Sequence, residues 1–403
     1  MAITTALFVS AVLAQDKTLA DVVKENSHPI VVSNKRLSGR GVEILDARIK
    51  DAQFLVLGEN HYSSKLSQFS EALLNEKSRN FTHFILEIGP VAVDKIYELY
   101  DRDEAVFTGK LNRFLTKYKL NDSPPIEFIS MKADAGMLSA ATANNVRLYG
   151  VDKEYVDSTY YLLDELKKYA DKKDDLARWT SVKARVDEAY EKRKADDKAP
   201  LLSALYADKG FIATLRSINP RNPKAALVTE EFIKVLYIYG LYEIAKYSEQ
   251  NTERLKIMKQ RLGALYFSQM NAKKPFKGFI KIGNVHSDRG LNRLLQYDIG
   301  NTASELAEAA GSRSVNIYGM RRYRKSATGE VSDFLKDGYE PLLNFVSLTD
   351  KENFVLIDLA PIKDLYLGRK IKIESKDERD LVIAYDFILL TPVDGAYKES
   401  RNY

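Results

Sequence analysis

Two tetrads of the form Gly-x-x-His mark the chain: Gly58-Glu59-Asn60-His61 and Gly283-Asn284-Val285-His286. Each follows a short apolar run, and the chain holds only 4 histidines. Two other apolar runs end in glycine beside a carboxylate, at Glu87-Ile88-Gly89 and at Gly150-Val151-Asp152. An imidazole oriented by a carboxylate can take a proton from water, while a second imidazole serves as acid or oxyanion partner. The same groups could instead hold a divalent metal through two nitrogens and two oxygens, lowering the pKa of a bound water. The residues leave both chemistries open. Glu59, His61, Glu87 and His286 are the candidate catalytic set. They are also the ligand set if a metal is present, although none is assigned. Asp152, Asn60 and Asn284 are candidate substrate contacts. His28, beside Pro29 in a polar lead-in, reads as exposed. His83 opens an apolar run, which puts it at the far end of any strand from these turns.

For these groups to meet, the runs must lie side by side in one sheet. Seven runs are too continuous for one-sided elements and read as buried strands. They are Phe54 to Leu57, Phe84 to Ile88, Val146 to Val151, Phe279 to Ile282, Val315 to Tyr318, Phe354 to Leu359 and Phe387 to Leu390. Helical periodicity over Lys65 to Lys77, Val91 to Tyr100 and Ala133 to Asn144 separates the early ones. Strands alternating with helices imply an α/β fold with a mostly parallel sheet flanked by helices. Such sheets bind ligands outside the carboxyl ends of their strands, where the four turns would converge.

From 154 to 272 the pattern is helical throughout, with no convincing strand, so a large helical insertion is expected between the strands around 146–151 and 277–283. The core then comprises 15–153 and 273–403. Charge runs in the insertion, and the cluster Arg321-Arg322-Tyr323-Arg324-Lys325, read as solvated faces. Residues 2–14, AITTALFVSAVLA, have the length of a signal-peptide apolar core and end in small residues, though no Lys or Arg precedes them. This predicts a signal peptide over 1–14 and a secreted or periplasmic protein.

Composition narrows the classes. Of 403 residues, 45% are hydrophobic and 29% charged, which is globular. The absence of cysteine excludes disulfides, cysteine zinc sites, Fe–S clusters and a thiol nucleophile. A net charge of +5, from 61 Lys and Arg against 56 Asp and Glu, is spread without a one-signed stripe, so no nucleic-acid partner is expected. No Gly-x-Ser-x-Gly elbow, P-loop or dinucleotide fingerprint occurs. A small-molecule substrate is the expected partner, and no membrane span is expected in the mature chain.

The block VLGENHYSSKLSQFSEALLNEKSRNFTHFILEIG resembles the opening of the erythromycin esterase family, with its Gly-Glu-x-His turn, helix and strand ending in glutamate. KIGNVHSDRG resembles that family's second histidine block, GVD its Gly-x-Asp strand end, and AYDFILLTP its closing strand. The stretch IGNTASELAEAAGSRSVNIYGM is similar to the segment between them. The resemblance spans roughly 50–160 and 275–395, and also touches the haem-uptake ChaN-like proteins and the Tiki/TraB proteases. It implies a hydrolase acting on an ester or related bond by histidine-activated water. The wider group implies two alternatives, a haem- or metal-binding protein or a metal-dependent hydrolase or protease. Val91 stands where Tiki-type proteins carry arginine.

Overall fold

The computed structural model describes residues 17–395, apart from 77, 78, 121, 122, 130, 131, 327 and 337–341. The expected export segment, 1–14, lies outside the described residues. The strands are β1 (Ser27–Ser33), β2 (Arg36–Ser38), β3 (Phe54–Glu59), β4 (His83–Leu86), β5 (Arg147–Gly150), β6 (Gly278–Gly283), β7 (Ser314–Arg321), β8 (Tyr323–Lys325), β9 (Val331–Asp333), β10 (Phe354–Asp358) and β11 (Phe387–Thr391).

Nine of them form one sheet in the order β2-β1-β10-β11-β7-β3-β6-β4-β5. The run β11-β7-β3-β6-β4-β5 is parallel throughout, and β10, β1 and β2 extend it antiparallel. This is the mixed α/β architecture with a mostly parallel sheet that the apolar runs predict. All seven predicted strands are present. Four more were not anticipated: in this sheet β1, whose residues SHPIVVS include a proline and alternate in burial, and the short β2, and outside it the paired β8 and β9. His28 therefore sits half-buried within a strand rather than in an exposed lead-in.

Both faces of the central strands are covered, which explains their continuous apolar sequences. Along β3, Leu55 and Leu57 join the core on one side, under the helices Ser64–Asn75, Pro90–Leu99 and Lys132–Ala143. Phe54 and Val56 face the other side, where Ile280 and Ile282 of β6 meet Met258, Leu262 and Tyr266. Those three belong to the helix Tyr247–Asn271, the last of the helices between β5 and β6. No strand interrupts that stretch among the described residues. None of the helices there or elsewhere in the described chain is long and apolar enough to cross a membrane.

The arginine cluster after β7 is not a solvated run. Arg321 is buried with its guanidinium 3.8 Å from Asp394, and Arg322 makes a two-pronged pair with Asp333 at 2.9 Å on both arms. The turn from β7 into β8 brings carboxylates to both, so the charges are used inside the fold.

The helix Ile299–Ala309 begins against the segment that follows β6. A Cβ on Gly300 would lie 2.1 Å from the carbonyl oxygen of Ser287 and 2.8 Å from that of Asp288. Both are backbone atoms, so only displacement of the helix can relieve the clash. Gly300→Ala should cost about 1–3 kcal/mol of stability in urea unfolding. A variant as stable as the native chain would mean that the helix is not seated this tightly.

Candidate functional site

The parallel register delivers the candidate residues to one rim. Glu59 is the last residue of β3, Glu87 follows β4, Asp152 follows β5, and β6 runs into a 3-10 turn over Asn284–His286. His61 lies two residues past Glu59. His83, the first residue of β4, is buried at the opposite end, beside Thr82, where burial pushes its pKa down to about 4.

Glu59 is buried between two partners. Its Oε2 accepts from the buried Lys281 ammonium, and its Oε1 lies 3.3 Å from His61 Nδ1. Burial alone would raise the Glu59 pKa, but Lys281 and His61 outweigh it and the carboxyl is held below its usual range. An ionised Glu59 can only accept, so Nδ1 of His61 carries the proton and Nε2 keeps its lone pair. Burial opposes protonation of His61, but Glu59 and Glu87 outweigh that too and raise its pKa. The ring stacks on Phe128, with centroids 3.9 Å apart. Gly283 makes room on the other side. A Cβ there would fall 2.7 Å from His61 Nε2 and 3.3 Å from Glu87 Oε2.

His286 repeats the arrangement. Its Nδ1 lies 2.8 Å from Asp298 Oδ2, which also accepts from the Asn292 amide at 2.9 Å. Asp298 is the N-cap of the helix Ile299–Ala309 and takes the Ile299 N–H at 2.7 Å. The His286 Nε2 faces Arg254 Nη1 at 3.4 Å and Glu87 Oε1 at 3.5 Å. Each imidazole thus has Nδ1 beside a buried carboxylate; Nε2 of His286 lies by Glu87, and Nε2 of His61 and Glu87 Oε2 both border Gly283.

Arg254 joins the two halves. It donates to Glu87 Oε1 at 2.6 Å and to Asp152 Oδ2 at 2.5 Å through Nη2, and to Asp152 Oδ2 at 3.0 Å through Nε. Glu87 also accepts the Gly283 N–H at 2.7 Å. Burial would raise both carboxyls. For Asp152, Arg254 and Lys153 prevail and hold the pKa down to about 2. For Glu87, His286, Arg254 and His61 hold it low. Arg254 sits four residues before Met258 and eight before Leu262, so it continues the stripe by which the helix Tyr247–Asn271 packs on the sheet.

Asp152, expected to meet substrate, is occupied instead. Its Oδ1 takes the Lys153 N–H at 2.8 Å and Arg254 Nε at 3.2 Å, and its backbone oxygen accepts from Arg261. It is a positioning group for Arg254. Asn284 donates to Asn60 Oδ1 at 2.7 Å and to the Gly319 carbonyl at 2.9 Å, so the two asparagines brace one another. Glu127 and Lys153 line the space beside Glu87 and were not anticipated. Burial, then Glu87, pushes Glu127 up to about 7, while burial brings the Lys153 ammonium down to about 8 beside Tyr239.

The residues do not fit a metal or haem. Lys281 occupies Glu59, and Arg254 stands among Glu87, Asp152 and His286 where a cation would have to sit. No group of three or more His, Asp and Glu side chains among the described residues could hold a metal ion. The spaces beside Glu87 and beside Glu59 measure about 10 Å³ each, with Phe128 over His61, which leaves no slot for a porphyrin.

No protein-family model and no curated protein matches the chain. Solved structures do. A crystal structure of a Bacillus cereus protein aligns over 96% of this chain and 98% of its own, at 14% identity and a TM-score of 0.53. A mutant of the erythromycin esterase EreC, in its open conformation, aligns over 92% of this chain and 98% of its own, also at 14% identity and a TM-score of 0.53. In fold, this chain is similar to erythromycin esterase.

Proposed function

We propose that the chain is an exported hydrolase that cleaves an ester or related bond with water activated by His61. The observation that carries this reading is the paired arrangement of the imidazoles at one rim, with Nδ1 of each beside a buried carboxylate, Glu59 for His61 and Asp298 for His286. Fixing Nδ1–H leaves Nε2 as the base, the arrangement general-base catalysis requires. In the proposed step, Nε2 of His61 takes a proton from water as its oxygen bonds to the carbonyl carbon. The C–O bond to the alcohol then breaks, and the proton passes to the departing alkoxide. Arg254, whose Nη1 is turned to His286 while its other arms hold Glu87 and Asp152, is the donor assigned to the developing oxyanion. His286, held by Asp298, is the second acid–base group. Export is supported by the apolar run Ala2 to Ala14 and its small-residue ending. The fold shared with an esterase supports the hydrolase class.

The pH dependence of hydrolysis tests the reading. A base works only when neutral, and the His61 pKa is raised. On a panel of aryl, alkyl and lactone esters, kcat/KM should therefore rise with pH along an acid limb centred above 6.5, the ordinary histidine value. The limb should survive EDTA. Glu127 titrates near 7, so Glu127→Gln is the control: it keeps the limb if His61 carries it. Absence of hydrolysis across the panel, or a limb that vanishes in Glu127→Gln, would overturn the assignment.

A further inference from the structure

Beside the histidine rim, a cleft of about 710 Å³ opens between the segment 288–295 and the helix Lys376–Ala384. Its size falls among those of small-molecule sites, and its lining combines apolar walls with a few convergent polar groups. The walls include Leu291, Leu295 and Ile383, which are 56%, 80% and 52% exposed, an unusual display of apolar surface for one small region. The polar floor is Asp288 and the buried Tyr385. The Tyr385 hydroxyl donates to Asp288 Oδ1 and lies 2.8 Å from Ser287 Oγ.

The charges around Asp288 leave it under-compensated. Arg289 is turned away into a two-pronged pair with Asp386, and Lys376 at the mouth pairs with Asp380. Arg293 is exposed and makes no ion pair with Asp288 among the described residues; its charge and that of His286 favour the carboxylate from a distance, but neither outweighs burial. Burial pushes the Asp288 carboxyl up to about 6, which still leaves it ionised at neutral pH. A half-buried carboxylate with one neutral donor gains from a cation that completes its hydrogen bonding.

We propose that this cleft binds a hydrophobic amine, its apolar body between Leu295 and Ile383 and its ammonium donating to the Asp288 carboxylate. The site does not depend on the hydrolase reading. Asn284 lines both regions, and Asn292, another wall residue, holds the Asp298 carboxylate that fixes His286. The cleft therefore borders the rim without sharing its histidines.

Calorimetric titration of the whole chain with n-octylammonium chloride, sodium octanoate and 1-octanol tests this. Octylammonium should bind saturably, one per chain, at least tenfold more tightly than octanoate. Asp288→Asn should bring octylammonium to the affinity of octanol. The surface double variant Leu295→Ser, Ile383→Ser should weaken both severalfold with unchanged thermal melting, and it decides the case if Asp288→Asn fails to fold. Saturable binding absent for octylammonium, equal affinity for octanoate, or affinity indifferent to the double variant would each overturn the proposal.

Discussion

Arg254→Met should lose about 3–5 kcal/mol of stability at neutral pH, because it leaves two buried carboxylates without their cation. Glu87 and Asp152 have side chains 3% and 4% exposed, so water cannot replace the guanidinium. The pH dependence makes the prediction specific. In the native chain both carboxyls are depressed, Asp152 to about 2. Their contribution is present above their ordinary pKa values of 3.8 and 4.5 and is lost only as pH falls through the depressed ones. Without Arg254, Asp152 keeps only Lys153 and Glu87 only the two histidines against burial, so both pKa values rise and the carboxylates' contribution at neutral pH shrinks. The gap between native and variant in urea midpoint should therefore widen from pH 4 to pH 8. A variant within 1 kcal/mol of native at pH 7, or a gap indifferent to pH, would show that Arg254 is not the shared counter-ion. Arg254→Lys should fall between the two, since an ammonium cannot span both carboxylates as the guanidinium fork does.

His61→Gln should cut kcat roughly 10²- to 10⁴-fold on whichever ester the native chain cleaves. Stability should change little, because the His61 side chain is 31% exposed and glutamine can keep both the 3.3 Å contact to Glu59 and part of the packing on Phe128. Retention of more than a tenth of native activity would end its assignment as the base. The relay behind it can be read separately. Lys281→Met removes the cation that keeps Glu59 ionised. Burial then raises the Glu59 pKa and weakens the hold of Glu59 on His61, and that hold, larger than the repulsion by Lys281 that is also lost, sets the direction. The His61 midpoint, followed by NMR titration of its ring protons, should move down. An unchanged midpoint would show that Lys281 and Glu59 do not tune His61, whatever the fate of hydrolysis.

What the sequence conveyed and what it hid have physical reasons. A strand buried on both faces must be apolar at nearly every position, so the parallel β3, β4 and β6, and β10 and β11 beside them, announce themselves as runs. β1 lies toward an edge, pairs antiparallel and alternates in burial, so SHPIVVS resembles a loop. The Gly-x-x-His turns were legible because a glycine beside an ionisable group at a strand end is rare in so histidine-poor a chain. The partners of those histidines were harder. Lys281 was within reach: a lysine between two isoleucines of a buried run must have a buried acid opposite it. Arg254 was not, since in TERLKIMKQRL it looks like any charge on a half-exposed helix. Only the packing of Met258 and Leu262 on the sheet shows that this stripe is the inner one. Asp298 was hidden by distance, since its link to His286 follows from a helix start that caps and grips at once.

The strand order has a kinetic side. β3 is flanked by β6 and β7, yet β6 begins only at Gly278, after all the helices that precede it. At ribosomal speeds of ~5–20 residues per second, β3 waits roughly 10–40 s for its first neighbour. During that interval a largely apolar strand has both hydrogen-bonding edges open, and β4 and β5 pair with each other beside the gap where β6 will insert. The nascent chain is therefore most exposed to misassembly before β6 emerges, and a chaperone or pause acting on that interval would govern yield more than the stability of the finished fold.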